Sequence, residues 1–172
     1  SKQLSEFLLN HAPAWQRQAY TRARCIGVEI NQLAELIVTK ALTTSDFQEL
    51  RSIHKQLFLA NNTRTIDSVD LKFCLGGLSH IEFTAQISLL ADQLPPKGPS
   101  TIEMIDQLME SSPLWRDLGL ELKTNFIELR YLEQLFQLTT NSTGSRIHRN
   151  SENLLRTQTL IQKLDHQKRI SI

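Results

Sequence analysis

Apolar residues recur along this chain at intervals of three and four, the period of helices that bury one face. A first short helix covers about Leu4 to Asn10. Pro13 suits the first turn of a second, which the pattern carries through Trp15, Ala19, Ala23 and Ile26 towards Gly27. Ile30, Leu33, Leu36, Ile37 and Leu42 mark a third. Thr44-Ser45-Asp46 offers an N-cap to a fourth, with Phe47, Leu50, Ile53, Leu57 and Phe58 on its apolar side and Asn61-Asn62-Thr63 at its end.

The stretch that follows, as far as Gly77, is the least helical. Val69, Leu71 and Phe73 alternate with Asp70 and Lys72, which predicts a short extended segment. Helix resumes near Leu78 and runs to about Leu94, where Pro95-Pro96-Lys97-Gly98-Pro99 makes a firm break. A helix from Thr101 to Glu110 comes next. Ser112-Pro113 then opens the longest one, carrying Leu114, Leu118, Leu122, Phe126, Leu129, Leu132 and Phe136, with Gly119 weakening it locally. Asn141 to Ser145 form a loop, and a terminal helix places Leu154, Thr157, Ile161 and Leu164 on one face. The pattern therefore predicts an all-α fold: a helical bundle with one irregular segment containing Gly76-Gly77. Residues 1–172 read as a single helical domain, and residues 144–172 as its basic terminal helix with a solvated face.

Composition narrows the partners. With 172 residues the chain can bury a real core, either as one domain or as two small lobes sharing one. Apolar residues make up 40% and charged ones 22%, the profile of a globular protein and not a disordered one. Lys and Arg number 19 against 18 acids, so a net charge of +1 points to no polyanion and nucleic acid is not an expected partner. Charged or polar residues interrupt every leucine-rich run before it reaches the length of a membrane span, and Ser1 to Glu6 hold no signal-peptide core. A cytoplasmic protein without a membrane partner is expected, and Ser1 suggests a chain cut from a longer one. Cys25 and Cys74 fit no metal-ligand spacing and read as reduced, buried thiols. The five histidines are scattered, and no HExxH, GxSxG, P-loop or dinucleotide fingerprint is present.

Three local constellations remain. In Trp15 to Arg24, a helix would line up Trp15, Ala19 and Ala23 while Arg22 and Arg24 project about 200° apart. The bland reading is a helix whose arginines pair with surface carboxylates. In Asp70 to Gln86, paired glycines precede a helix whose N-terminal N–H groups would favour an anion, and Glu82 and Gln86 share a face. A structural turn is the commoner use of such a pair. In Arg130 to Gln137, Arg130 and Glu133 stand at the spacing of an intrahelical ion pair.

Taken in this order, the three segments resemble the glutamine-synthetase adenylyltransferase family. A Trp-x-x-x-Ala-x-x-Arg-Ala-Arg helix is matched by Trp15, Ala19, Arg22, Ala23 and Arg24. An Asp-x-Lys…Gly-Gly-x-x-acid-Ile-Glu-Phe-x-x-Gln segment is matched by Asp70, Lys72, Gly76, Gly77, Ile81, Glu82, Phe83 and Gln86, and Arg-x-Leu-Glu by Arg130, Leu132 and Glu133. The resemblance covers about residues 15–137, and the middle motif is the specific one. His80 stands where the family carries an acid, and a titrating imidazole cannot reproduce a permanent carboxylate.

The resemblance implies a helical domain that follows a nucleotidyltransferase domain in a protein regulating glutamine synthetase. ATP and Mg²⁺ would serve the parent protein, with no cofactor or metal held by this chain. The nucleotidyltransferase domain of the same parent chain would be the partner, with glutamine synthetase as a further one. The resemblance assigns Arg22, Arg24, Lys72, Gly76, Gly77 and Glu82 to the wall of the nucleotide cleft, bracing it ahead of touching phosphate, and Trp15, Phe83 and Leu132 to the core. No catalytic residue is assigned. Polymerase-beta-like transferases need a Gly-Ser turn followed by an Asp-x-Asp pair for Mg²⁺, whereas Gly144-Ser145 precedes only Asp165, and Asp67 and Asp70 follow no such turn. The alternative is a diverged, non-catalytic helical module for protein interaction or scaffolding.

Overall fold

The computed structural model describes residues 2–23, 30–61, 67–141, 143–149 and 151–170, and side chains for these except 30–32, 61 and 164–170. Its elements run α1 (Lys2–Asn10), α2 (Ala14–Tyr20), α3 (Ile30–Val38), α4 (Thr44–Asn61), β1 (Ser68–Asp70), α5 (Leu78–Ala91), α6 (Thr101–Ser111), α7 (Pro113–Thr140), β2 (Arg146–His148) and α8 (Glu152–Ile170). The chain is predominantly α-helical, as its periodicity predicts. The chain divides into two compact units, Ser1–Leu57 with Ile81–Thr124, and Phe58–His80 with Asn125–Ile172.

In the first unit, α1 and α2 pack on α3. Leu8, Ala12, Ile37, Val38 and Leu90 form a buried cluster, flanked by Leu4, Phe7, Tyr20, Leu33, Leu36 and Leu42. The last carbonyls of a helix lack intrahelical donors. For α3 two side chains supply them. Arg17 Nη1 donates to Ile37 O at 3.2 Å and to Lys40 O, and Gln93 Nε2 donates to Val38 O at 3.1 Å. Because α3 stops at Val38, Leu42, expected on this helix, lies beyond its end and still packs on the core.

The cap of α4 sits one residue earlier than the sequence suggested. Thr43 N–H donates to Asp46 Oδ2 at 2.8 Å and Asp46 N–H donates to Thr43 Oγ1 at 3.2 Å, a reciprocal capping box. The proline break is tied down by buried Gln107, whose Nε2 donates to Pro95 O at 2.8 Å and whose Oε1 accepts from Lys97 N–H at 3.1 Å. Gly119 proves to be a packing requirement and not only a weak point of α7. A Cβ there would stand 2.4 Å from Met109 Cγ.

α2 is shorter than its pattern predicts. It ends at Tyr20, and Ala23 N–H turns back to Tyr20 O at 2.9 Å. Thr21 Oγ1 donates to Gln18 O at 2.7 Å, a local bond that competes with helical continuation. The expected course through Ile26 to Gly27 lies outside the described residues.

In the second unit, β1 and β2 form an antiparallel ribbon in the register Ser68↔His148, Val69↔Ile147 and Asp70↔Arg146. β1 overlaps the stretch expected to be extended only at Val69 and Asp70, and Leu71 to Phe73 turn instead. β2 left no period-2 signal, since three residues are too few to show one, and pairing with β1 is what makes it a strand. Its buried residues include Leu71, Leu78, Phe126, Leu135 and Phe136. Thr139 Oγ1 and buried Thr157 Oγ1 share a hydrogen bond of 2.8 Å between α7 and α8.

Candidate functional site

Within the first unit the two longer motifs meet. Gln18 Nε2, from the last turn of α2, donates to Gln86 Oε1 on α5. One turn away on each strand of chain, Arg22 Nη1 lies 3.0 Å from Glu82 Oε2. The four-residue spacing of Gln18 and Arg22 thus reads against the four-residue spacing of Glu82 and Gln86. Gln18, Glu82 and Gln86 are buried, so this two-rung ladder is largely shielded from water and stronger than a surface pair. The Arg22 side chain keeps 43% of its surface exposed while its partner oxygen is held inside. Arg24 lies outside the described residues.

The face of α2 differs from expectation. Ala14, Arg17, Gln18 and Thr21 are buried, whereas Trp15 is 41% exposed and Ala19 is exposed. Trp15 is therefore not a core residue, and Phe83 and Leu132 are only half-buried. The inward face hid because Arg, Gln and Thr occupy it. Its signal was the i, i+3, i+4, i+7 spacing from Ala14, which composition masks.

Lys72, Gly76 and Gly77 belong to the second unit and share one turn. Asp70 organises it. Its Oδ1 accepts from Lys72 N–H at 3.0 Å, Phe73 N–H at 3.1 Å and Ser145 Oγ at 2.7 Å, and Arg146 approaches Oδ2 at 3.7 Å. The Lys72 ammonium is exposed, 5.3 Å over the Phe73 ring. The expected free N–H groups at the start of α5 are all engaged: Leu78 donates to Leu71 O at 3.0 Å, Ser79 to Lys72 O at 2.9 Å and His80 to Gly77 O at 3.0 Å. Gly76 N–H donates to His80 Nδ1 at 3.0 Å. This helix terminus is closed by its own turn, so the glycines shape backbone and offer no anion cradle.

Toward Gly76, His80 does what a carboxylate could do at its position: it accepts a hydrogen bond. Its ring stacks on Phe58 at 5.2 Å, and burial holds its pKa below the ordinary 6.5. Only the form with a bare Nδ1 can accept from Gly76, so the unfolded chain binds a proton more readily. Stability is full above about pH 6.5 and falls as pH drops through the folded value. Thermal melts at pH 7.5 and 5.5 should show a loss of a few degrees that His80→Gln removes. An unchanged difference in that variant would refute the assignment.

Arg130 Nη1 and Glu133 Oε2 form the expected intrahelical pair at 2.8 Å, with Arg130 also over the Phe126 ring at 5.3 Å. Among the described residues no three His, Cys, Asp or Glu side chains gather where a metal could sit. Asp70 Oδ1 is taken up by its own turn, and Asp67 is exposed. No helix among them is long and apolar enough to cross a membrane.

The paired motif segments thus sit in a predominantly α-helical region. The sequence model of the family described as GlnD PII-uridylyltransferase matches residues 59–170, and the chain belongs to that family. The match runs past Gln137, where the motif resemblance ends, and takes in α8. A bifunctional glutamine synthetase adenylyltransferase/adenylyl-removing enzyme of Alteromonas mediterranea is 26% identical over 153 residues. That alignment covers 80% of this chain and 15% of the relative, so the chain spans a small part of the relative's length. No solved structure matches.

Proposed function

We propose that this chain is the helical partner of a nucleotidyltransferase domain in an adenylyltransferase-like protein that regulates glutamine synthetase. The observation that carries the proposal is the outward face of α2 and its following turn. Trp15, Ala19 and Arg22, which carry the resemblance, are exposed, and Glu82 fixes Arg22 from behind. An exposed tryptophan beside a small residue and a positioned arginine is the composition of an interface anchor. Arg22 and Lys72 would brace the cleft wall, with Arg24 as a further basic residue, while Gly76 and Gly77 set the turn that presents Lys72. ATP and Mg²⁺ would be bound by the nucleotidyltransferase domain, since this sequence lacks the carboxylates to hold the metal. The chain by itself performs no transfer.

The test is reconstitution with a separately produced nucleotidyltransferase domain of the parent protein. Trp15→Ala and Arg22→Ala should each weaken docking by about tenfold or more, with a stability loss of about 1 kcal/mol for Trp15→Ala and about 2–3 kcal/mol for Arg22→Ala, which strands the buried Glu82 carboxylate. Docking and adenylyl transfer unchanged in both variants would sink the proposal. A second reading, a diverged non-catalytic interaction module, is favoured by His80, whose ring is committed to Gly76 and Phe58 and leaves no permanent negative charge at that position.

A further inference from the structure

Two exposed helix faces of the first unit carry single-sign charge, one basic and one acidic. On α4, Phe47, Arg51 and Lys55 stand four residues apart, within about 80° of one another over about 12 Å. On α7, Leu114, Asp117, Leu118 and Glu121 share one side, within about 100° over about 11 Å. Phe47 is 42% exposed, Leu114 80% and Leu118 46%, and the four charged residues are exposed as well. All seven belong to the unit made of Ser1–Leu57 and Ile81–Thr124.

Among the described residues, the side chains of Arg51, Lys55, Asp117 and Glu121 have no partner. Arg51 and Lys55 repel each other at a spacing of four, and so do Asp117 and Glu121, a small cost that the fold leaves uncompensated at both places. The opposite charges in these stretches, Glu49 and Arg116, lie about 200° round the helix from Phe47 and Leu114, so neither face is neutralised by its own helix. Each face therefore offers the chemistry that the other lacks. Laid parallel in one register, Phe47 meets Leu114, Arg51 meets Asp117 and Lys55 meets Glu121, with the aliphatic stem of Arg51 over Leu118. Laid antiparallel, the same faces set Phe47 against Glu121 and Lys55 against Leu114, and most of the complementarity is lost.

We propose that the α4 face of one copy of this chain docks, in parallel, on the α7 face of a second copy. The contact is heterologous, since two different patches of the same chain meet. It is also small, so it forms at high concentration and low salt, where the two ion pairs are least screened. It goes beyond the proposed function and does not rest on it.

Sedimentation equilibrium of the 172-residue chain at low salt, up to about 1 mM, is the test, with circular dichroism confirming that variants keep their helix content. The chain should self-associate reversibly, and less as salt rises. Arg51→Glu with Lys55→Glu makes both faces acidic, and Asp117→Lys with Glu121→Lys makes both basic. Each double variant alone should associate more than about tenfold less, because like charges then meet across the contact. Mixing the two should restore association, since each supplies the face that the other needs. A chain carrying all four reversals keeps the natural net charge of +1 and should associate like the natural chain, which separates this contact from general charge repulsion. Leu114→Gln, at a position 80% exposed, should weaken association without changing the charges. A chain that stays monomeric throughout overturns the proposal. So does association indifferent to the double reversals, or a fourfold variant that associates no better than the double ones.

Discussion

Gly77→Val should destabilise the second unit by about 3 kcal/mol or more, a larger loss than the same change at its neighbour. A Cβ at Gly77 would stand 2.7 Å from Leu71 O and 3.0 Å from both Cys74 O and Cys74 Sγ. Two of those three atoms are backbone, held by the turn that Asp70 ties together, so they cannot swing aside. Gly76 differs in kind. Its φ of +76° is the left-handed region that side chains resist, yet a Cβ there meets nothing within 4 Å. Gly76→Ala should therefore cost only the strain, about 1–2 kcal/mol. Urea unfolding of Gly77→Val, Gly77→Ala and Gly76→Ala separates the two causes. Similar losses at Gly76→Ala and Gly77→Ala would mean that conformation alone governs the turn. No loss at either would mean that the glycines serve flexibility.

The same turn marks what could be read from the sequence. The Gly-Gly pair, its place before a helix and the irregular stretch ahead of it were all legible, because glycine and polar alternation leave local signals. That the N–H groups of α5 are consumed was not legible. Their acceptors are backbone carbonyls of Leu71, Lys72 and Gly77, and which carbonyl bends back is set by the course of the chain and not by residue type. Nor could the anchoring of Asp70 to Ser145 be seen, since the two lie 75 residues apart. The spacing Glu82–Gln86 was visible as one face of a helix. Its meeting with Gln18 and Arg22 depends on how α2 docks, and α2 docks with a polar face inward that a hydrophobic pattern passes over. Apolar residues at intervals of three and four marked the helices well, whereas short elements held by partners, β2 above all, left too little pattern to find.

Arg17 should be the least replaceable charged residue of the first unit. It stands in α2 two residues after the tryptophan of the motif, among arginines that the sequence presents as equals, yet it is 1% exposed while Arg22 stays near the surface. Its guanidinium closes the open end of α3 through Ile37 O and Lys40 O. A cation at a helix C-terminus also faces the negative end of the helix dipole. Burial pulls its pKa down, and nearby Asp46 works in the opposite direction, but no folded protein deprotonates an arginine near neutral pH. Its Nε finds no acceptor, so the group already carries a desolvation cost that the two carbonyls must offset. Arg17→Met keeps much of the volume, removes that cost and strands both carbonyls, which should leave a net loss of about 2–4 kcal/mol. Arg17→Ala adds a cavity beside Ile37 and should lose more. Arg17→Lys retains the charge but not the planar reach, and should fall between wild type and Arg17→Met. Chemical denaturation of the three variants gives the order directly. If Arg17→Met matched or exceeded wild-type stability, the arginine would be kept for something other than closing α3, and the helix end would need another donor.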